Sequence, residues 1–398
     1  MVFLTSHLPR CLAVLATLAS TTLAHPITNR APAIVRLPTP QNATYAVGSQ
    51  VFKLVDDSRT DPFNSTVKRA VEITVYYPSS GQNDGTCPGG TSPALYMPTV
   101  MAGLADQGLG IPSGTLESIL TDTCLGASAV SSDQRNLIVM SPALGISRLV
   151  YQTYTTALAA HGYVVVGIDH PYDAELVEYP DGQLVFAVPI NGSDPAAVTS
   201  RVEIRTKDVQ FVLDQVCSNK NLTAGIPVDC GARKVGMFGH AVGGATTADM
   251  TIIDQRIAGG INIDGTFYPT QSGPDVSPDT HFLVIAEEGH NAMTDPTYAD
   301  WFKTPTANSS ERFIATVKGA KQATFTDYPV LVDLLGITPS SLPADEAAAL
   351  GTIDGNRISV IIQISFNAWF DLILQGQTAA ADALLKNGFP EVDIVQLA

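Results

Sequence analysis

The stretch VGMFGHAVGGATTADM, residues 235 to 250, joins a short apolar run to a helical one through a turn rich in glycine. Gly239 and Gly243 bracket Ala241, which is the spacing of the G-x-S-x-G turn that holds an enzyme nucleophile between a strand and a helix. Such a turn needs small residues beside its central position, and Gly239, Gly243 and Gly244 meet that need. The stretch predicts a tight strand-turn-helix unit whose central residue, Ala241, carries no nucleophile. A glycine-rich turn without catalytic history is the alternative, and a phosphate-binding loop is disfavoured because no G-x-x-x-x-G-K-[ST] occurs.

Short apolar segments alternate with helical ones on both sides of this turn. The segment 147–162 carries apolar residues at helical spacing, ends in Gly162 and joins two strand-like runs as a β-α-β unit. Alternation of this kind predicts an α/β fold, with a mostly parallel central sheet and helices on both faces. We expect strands at 71–78, 136–142, 163–170, 234–239, 257–264, 281–288 and 312–319, and helices at 147–162, 199–217, 245–254 and within 356–386.

The composition is that of a globular protein without a polyanionic partner. Of 398 residues, 45% are hydrophobic and 15% are charged, so the chain can bury a large core. The formal net charge is -16. Binding to a phosphate backbone requires clustered lysine and arginine, so we predict no nucleic-acid partner. The oligomeric state is left open.

Residues 1–24 have the pattern of a secretory signal peptide. A basic residue, Arg10, precedes the apolar run 11–19, and the small residues Thr22 and Ala24 are placed for cleavage. A membrane anchor is the alternative, but the run is well below the roughly 20 residues that a span requires. We find no other stretch that is long and apolar enough, and therefore predict no transmembrane segment.

The domain organisation that we expect is simple. Residues 25–65, rich in proline and polar residues, are predicted to form an extended N-terminal arm, and residues 66–398 a single domain. The signal peptide places the protein outside the cell or in the lumen of the secretory pathway.

Four cysteines remain once Cys11 is removed with the signal peptide. An even number in an oxidising compartment favours two disulfides, and three connectivities are open. We favour Cys217 with Cys230 and Cys87 with Cys124. No C-x-x-C occurs, so no metal site is predicted, and no cofactor is expected. Sequons for glycosylation occur at Asn42, Asn64, Asn191, Asn221 and Asn308.

Several motifs in one order carry a family resemblance from about residue 60 to the C-terminus. They are DPFNSTVKRAVEITVYYP, LIVMSPALGISRLVYQTYTTALAAHGYVVVGIDHPYDA, MFGHAVGGATT, GGINIDGTFYP, EEGHNAMTDPTYADWF and FTDYPVL. With these motifs the chain resembles the platelet-activating factor acetylhydrolase family, and especially its secreted fungal branch. The resemblance implies an α/β-hydrolase fold and a Ser-His-Asp triad that cleaves short acyl esters of phospholipids.

Carried over position by position, the resemblance gives a triad with two substitutions. The nucleophile position is Ala241, the acid position is Asp264, and the base position, three residues before the phenylalanine of FTD, is Gln322. No histidine follows His290, so a shifted alignment does not restore the base.

The family's oxyanion donors are backbone groups and so survive side-chain substitution. The matching N–H groups belong to Val242, after the nucleophile position, and to Leu144 in the loop SPALG. Ala143 stands where the family commonly has glycine, which leaves the path of this loop open.

An alanine methyl cannot attack a carbonyl, so we do not expect ordinary serine-esterase activity. We expect Asp264 to be buried without a cationic neighbour, hydrogen-bonded by the Gln322 amide, with its pKa raised by burial. His240, His170 and Asp173 are predicted to line the mouth of the site, although each has a structural role as its alternative.

Three functions remain open. The first is a repurposed, non-hydrolytic catalyst of elimination, isomerisation, cyclisation or coupling that acts on a lipophilic small molecule such as a secondary metabolite. The second is a ligand-binding protein without catalysis, and the third is weak ester hydrolysis by a positioned water. We favour the first, because a pure binding pocket has no need of buried polar groups such as Asp264 and Gln322.

Overall fold

The computed structural model describes residues 35–81, 86–268, 280–303 and 312–396. The predicted signal peptide, the first ten residues of the predicted arm and Asn308 lie outside the described residues.

The described part of the chain forms fifteen strands. They are β1 (Val35–Arg36), β2 (Ala46–Thr60), β3 (Lys68–Ser79), β4 (Ser92–Leu95), β5 (Ile119–Leu125), β6 (Arg135–Ser141), β7 (Val164–Asp169), β8 (Leu176–Glu178), β9 (Leu184–Phe186), β10 (Val228–Asp229), β11 (Val235–His240), β12 (Ile257–Ile263), β13 (His281–Glu287), β14 (Arg312–Val317) and β15 (Val392–Gln396). All seven of the predicted strands are among them.

Nine α-helices lie in the same described ranges. They are α1 (Thr99–Leu109), α2 (Gln152–His161), α3 (Pro195–Ser218), α4 (Val242–Ile253), α5 (Pro296–Lys303), α6 (Tyr328–Leu334), α7 (Ala344–Leu350), α8 (Gly355–Gln375) and α9 (Thr378–Asn387). Local signals explain the ends of the helices that matter here: the Asp194 side chain accepts the Ala196 N–H at 3.0 Å at the start of α3, and Gly162 ends α2 at φ 132°.

The central sheet has the order β1-β5-β2-β3-β7-β6-β11-β12-β13-β14-β15. The six strands from β7 to β14 run parallel, whereas β2, β3 and β15 pair antiparallel with β3, β7 and β14. Parallel strands carry their functional groups at the carboxyl ends, so the turns after β6, β11, β12, β13 and β14 meet at one edge of the sheet. The predicted mostly parallel α/β sheet is confirmed.

Helices cover both faces of this sheet. Side chains alternate along β6, where Ile138 and Met140 pack into one core cluster and Leu137 and Val139 into another. The first cluster contains residues of α2 and α8, and the second contains residues of α3 and α4. The fully buried central strands explain why the sequence shows continuous apolar runs there.

The predicted N-terminal arm requires correction. Residues 46–60 form β2, which pairs with β3 from Ala46 opposite Ser79 to Thr60 opposite Lys68, and Val47 is buried in the core. The boundary at residue 66 therefore falls inside a hairpin of the main sheet.

The prediction that no stretch after the signal peptide is apolar and long enough for a membrane span is also corrected. The helix α8, Gly355–Gln375, meets that criterion by length and composition, with a mean hydropathy of 1.4. However, 67% of its apolar window is buried inside the fold, where Phe366 and Phe370 join the core. The burial is that of a core helix.

Two disulfides join Cys87 to Cys124 and Cys217 to Cys230. Of the three open connectivities, the favoured one is confirmed. They fix the segment before β5 and the connection between α3 and β11.

The described sequons differ in accessibility. Asn42, Asn191 and Asn221 are exposed, whereas Asn64 is half-buried and its side-chain nitrogen lies 3.4 Å from the Tyr172 hydroxyl. Glycosylation stays a prediction, and the first three sites are the sterically open ones.

Candidate active site

The turn after β11 has the strained backbone of a nucleophile turn. Ala241 adopts φ 49° and ψ -114°, a conformation that side-chain-bearing residues rarely take and that costs about 1 to 3 kcal/mol. Its N–H donates to the Ile263 carbonyl at 2.8 Å, and its carbonyl accepts the Gly244 N–H at 2.9 Å. The turn is therefore held from both the neighbouring strand and the following helix.

Close backbone approach explains the glycines. A Cβ on Gly239 would lie 2.1 Å from the Gly243 carbonyl oxygen, and one on Gly243 would lie 2.0 Å from the Ser141 carbonyl oxygen. At Gly244 a Cβ would come within 1.8 Å of the Asn262 side chain. These contacts confirm the sequence argument that only the smallest residue fits beside Ala241.

Two backbone N–H groups are available beside Ala241. Val242 opens α4, so its N–H has no intrahelical acceptor. Leu144 lies in the loop after β6, and within the described ranges neither N–H donates to a protein acceptor. Ala143 has no positive φ, so the loop needs no glycine at that position. Both N–H groups predicted as oxyanion donors are thus free.

The surroundings of these donors are apolar. Leu144 and Tyr268 pack against a small cluster to which α3 contributes Val198 and Val202, and α4 contributes Val242 and Ala245. Ala241, Leu144 and Tyr268 are half-buried, so the cluster reaches the surface at the elbow.

Asp264 has a different partner from the predicted one. Its Oδ1 atom accepts the Glu287 N–H at 2.9 Å and lies 2.8 Å from Nδ1 of His290, while no hydrogen bond joins it to Gln322 within the described residues. The other ring nitrogen of His290 lies 2.9 Å from Oδ2 of Asp295. The expectation of an Asp264 without a cationic neighbour is therefore wrong.

The resulting Asp264-His290-Asp295 chain is charged. Burial lowers the His290 pKa, but hydrogen bonds to Asp264 and Asp295 outweigh burial and raise the pKa to about 10. Burial raises the pKa of Asp295, but its hydrogen bond with His290 and bonds from Thr297 and Thr266 lower it to about 2. His290 is an imidazolium with both nitrogens engaged at neutral pH, so it is not a free general base.

Glu287 is a candidate that sequence reasoning missed. It ends β13 beside Asp264, and its side chain is 24% exposed. Burial and then the Asp264 charge raise the Glu287 pKa, against the pull of Lys321 at 3.8 Å. Gln322 opens the 3-10 turn Gln322–Phe325 and directs its backbone N–H, not its side chain, to this carboxylate. A charged residue closing the predicted strand 281–288 was the available signal.

His240 is packed inside the protein, not at the mouth. It is 2% exposed, its Nδ1 lies 2.8 Å from the Tyr151 hydroxyl, and its ring meets Phe325 edge-on at 6.1 Å. Burial lowers the His240 pKa to about 4, so the imidazole is neutral at physiological pH.

His170 also lies away from the mouth, in a buried hydrogen-bond network. The Ser141 hydroxyl lies 3.0 Å from its Nε2, and Asp208 lies 2.9 Å from its Nδ1. This is the connectivity of a Ser-His-Asp triad, but the three residues are at most 1% exposed. No substrate meets that serine, so the network is structural.

Asp173, 5% exposed, is buried beneath the oxyanion loop, a further correction. It binds the Arg205 guanidinium through both oxygens, at 2.5 and 2.9 Å. Arg205 in turn donates to the carbonyls of Pro142 at 2.5 Å and Ala143 at 3.3 Å. This pair holds the loop that carries Leu144 from the side opposite the site.

A strained elbow before a helix, with free backbone donors at the carboxyl edge of a mostly parallel sheet, defines a protein of the α/β-hydrolase fold. The comparisons agree, and the family is specific. The chain belongs to the family described as platelet-activating factor acetylhydrolase, isoform II, which matches residues 35–180 and 207–338.

Curated relatives and a solved structure carry esterase names. A protein of Arthroderma benhamiae named a probable 1-alkyl-2-acetylglycerophosphocholine esterase is 24% identical, over 95% of this chain and 98% of that protein. The platelet-activating factor acetylhydrolase of Cavia porcellus is 26% identical, over 48% of each chain. A ferulic acid esterase from Streptomyces cinnamoneus superposes with a TM-score of 0.74 at 26% identity, over 91% of this chain and all of that one.

Proposed function

We propose that this family member binds the carbonyl oxygen of a lipophilic small molecule and catalyses a non-hydrolytic proton transfer beside it. The reaction is of the kind that begins an elimination, isomerisation, cyclisation or coupling. No acyl-enzyme forms, because the elbow residue is Ala241.

The observation that carries the proposal is the strained turn itself. Ala241 keeps φ 49° although no nucleophile depends on it, and this conformation aims the start of α4 at the mouth of the site. Its use without a serine is the binding of developing negative charge by the N–H groups of Val242 and Leu144. The apolar residues around Leu144 suit a lipophilic substrate.

Glu287 is the group to which we assign the proton. Its carboxylate is partly exposed, and its raised pKa brings it nearer to neutral pH, where general acid-base catalysis is most efficient. Asp264 has the supporting role, since its Oδ1 is already engaged by Glu287 N–H and by His290.

A second candidate is ligand binding without catalysis. It is favoured by the Asp264-His290-Asp295 chain, in which the histidine is held between two carboxylates and cannot accept a proton. Under this function the backbone donors would bind a carbonyl compound and Glu287 would only pair with Lys321.

The test uses 2-octanone as a minimal lipophilic ketone. We expect the protein to accelerate exchange of its α-protons in D₂O at least tenfold over buffer with equal carboxylate, followed by NMR. Glu287→Gln should abolish the acceleration and keep ketone binding, whereas the matched control Glu288→Gln, an exposed neighbour, should leave both unchanged. Binding without accelerated exchange would establish the second candidate and refute catalysis.

Hydrolysis is tested separately. A fluorophosphonate probe should not label the protein, and labelling of any serine would overturn the proposal. The double variant Ala241→Ser, Gln322→His asks how much of the family site remains: measurable cleavage of a p-nitrophenyl acetyl ester shows that the oxyanion donors are still correctly placed.

A further inference from the structure

A chain of hydrogen bonds runs from the oxyanion loop to the residue before the elbow. The Ala143 N–H donates to the Tyr151 hydroxyl oxygen at 3.2 Å, and that hydroxyl lies 2.8 Å from Nδ1 of His240. All three residues are buried, at 6%, 0% and 2% exposure. The chain connects the loop of Leu144 with the last residue of β11.

The direction of this chain fixes the tautomer of His240. Burial raises the Tyr151 pKa, so the hydroxyl keeps its proton, and it donates that proton to Nδ1. The imidazole is neutral and Nδ1 is an acceptor, so the hydrogen of the ring resides on Nε2.

The Nε2–H group has no acceptor. It is fully buried, and no hydrogen-bond partner for it exists among the described residues. A buried donor left unpaired costs free energy, and such groups in native proteins have an explanation in a ligand or an ordered water.

The position of the ring indicates which ligand. His240 is adjacent to Ala241 in the chain, feels the charge of Asp264, and packs against Phe325 of the turn that Gln322 opens. The unpaired N–H thus lies among the three positions that correspond to nucleophile, acid and base in the family.

We propose that the Nε2–H of His240 is a third hydrogen-bond donor to the substrate oxygen, beside the N–H groups of Val242 and Leu144. This inference rests on the proposed function and names the side chain that it lacked. A neutral imidazole is suited to the task, because it donates a hydrogen bond without transferring its proton. In this chain it replaces part of the polar surface that a serine and a histidine would have provided.

The experiment is NMR of the full chain labelled with ¹⁵N at histidine, valine and leucine, titrated with butyrate as a stand-in for the oxyanion. We expect butyrate to shift the amide signals of Val242 and Leu144 and, at the same concentration, the Nε2–H signal of His240. His240→Phe should raise the butyrate Kd about tenfold, whereas His240→Gln, which keeps a donor, should stay within about threefold. The control His161→Gln changes a half-buried histidine paired with Asp371 and should have no effect.

The outcomes separate this inference from the function on which it rests. If the two amides respond and the His240 ring does not, the inference is wrong and the carbonyl site stands. If neither responds, the carbonyl site itself fails. The wild-type spectra decide this even if a His240 variant does not fold, and a melting temperature for each variant shows whether its Kd is interpretable.

Discussion

At the scale of single residues, Ala241 shows that backbone and side chain can be conserved separately. Its φ of 49° belongs to the turn and not to the methyl group. The glycines at 239, 243 and 244 exclude any relaxed path, because each would clash if it carried a Cβ. The strain is thus imposed by the packing of β11 against α4.

Replacing Ala241 with glycine should therefore stabilise the protein. Glycine adopts positive φ without strain, and we expect the free energy of unfolding to rise by about 1 kcal/mol. Urea denaturation measures it. The control Ala248→Gly, in the ordinary interior of α4, should lower stability by about 1 kcal/mol or more. A loss of stability in Ala241→Gly would mean that the turn is not strained.

His290 gives a prediction for pH dependence. Its pKa is about 10 in the folded protein and near 6.5 in an unfolded chain. Its contribution to stability is therefore complete below about pH 6.5 and is lost as pH rises toward 10. Thermal melts should show wild type above His290→Gln at pH 6, with the difference shrinking by pH 10. A difference independent of pH would contradict the ion chain.

The acidic limit comes from the other end of the same chain. The Asp295 pKa is about 2 in the folded protein, below its ordinary value of 3.8, so its contribution is present above about pH 4 and lost as pH falls toward 2. The Asp264-His290-Asp295 chain should therefore stabilise most strongly between about pH 4 and 6.5.

At the scale of elements, α3 supports the oxyanion loop. Arg205 on this helix is 1% exposed and binds Asp173 together with two loop carbonyls. The loop that presents Leu144 is thus held by a guanidinium group from the face opposite the ligand.

Arg205→Ala should destabilise the fold by about 3 to 5 kcal/mol, because it leaves the Asp173 charge buried without a partner. Hydrogen exchange of the amides at 143–146 should accelerate more than that of the central strands. The control Arg201→Ala, one turn earlier, removes bonds to the Tyr172 and Val188 carbonyls but touches no residue of this loop. Equal acceleration in both variants would show that Arg205 has no special hold on the loop.

The elements most visible in the sequence were the buried ones. Strand β7 reads VVVGID with every residue buried, and α3 places its valines at helical spacing on its buried face. Strand β2 was missed because only one part of it is buried: Lys53, Asp57 and other polar residues fall on its accessible positions and hide the period of two.

The site was predictable where it depends on local backbone and not where it depends on strand order. Ala241 and the free N–H of Val242 follow from the glycine spacing alone. The Asp264-His290 contact joins residues 26 apart and exists because β12 and β13 are neighbours. His170 and Asp173 were misplaced because the sequence does not show that α3 covers the turn after β7.

At the scale of the whole molecule, the two disulfides close loops of different length. The bond Cys87–Cys124 spans 37 residues and Cys217–Cys230 spans 13. The entropy of loop closure predicts that replacing each pair with serines costs about 4 and about 3 kcal/mol respectively. Urea denaturation of the two double variants measures both, and a larger loss for the shorter loop would show that local contacts dominate over chain entropy.

The helix α8 has a consequence for synthesis of the protein on the ribosome. Its residues from 355 to 375 cover the same sheet face that Tyr76, Ile138 and Phe238 leave apolar. Until that helix has emerged, the nascent chain exposes this surface for the time that translation needs to reach it, tens of seconds at about 5 to 20 residues per second. Folding of the domain is therefore largely post-translational, and the surface left waiting for α8 is where a chaperone would act on the growing chain.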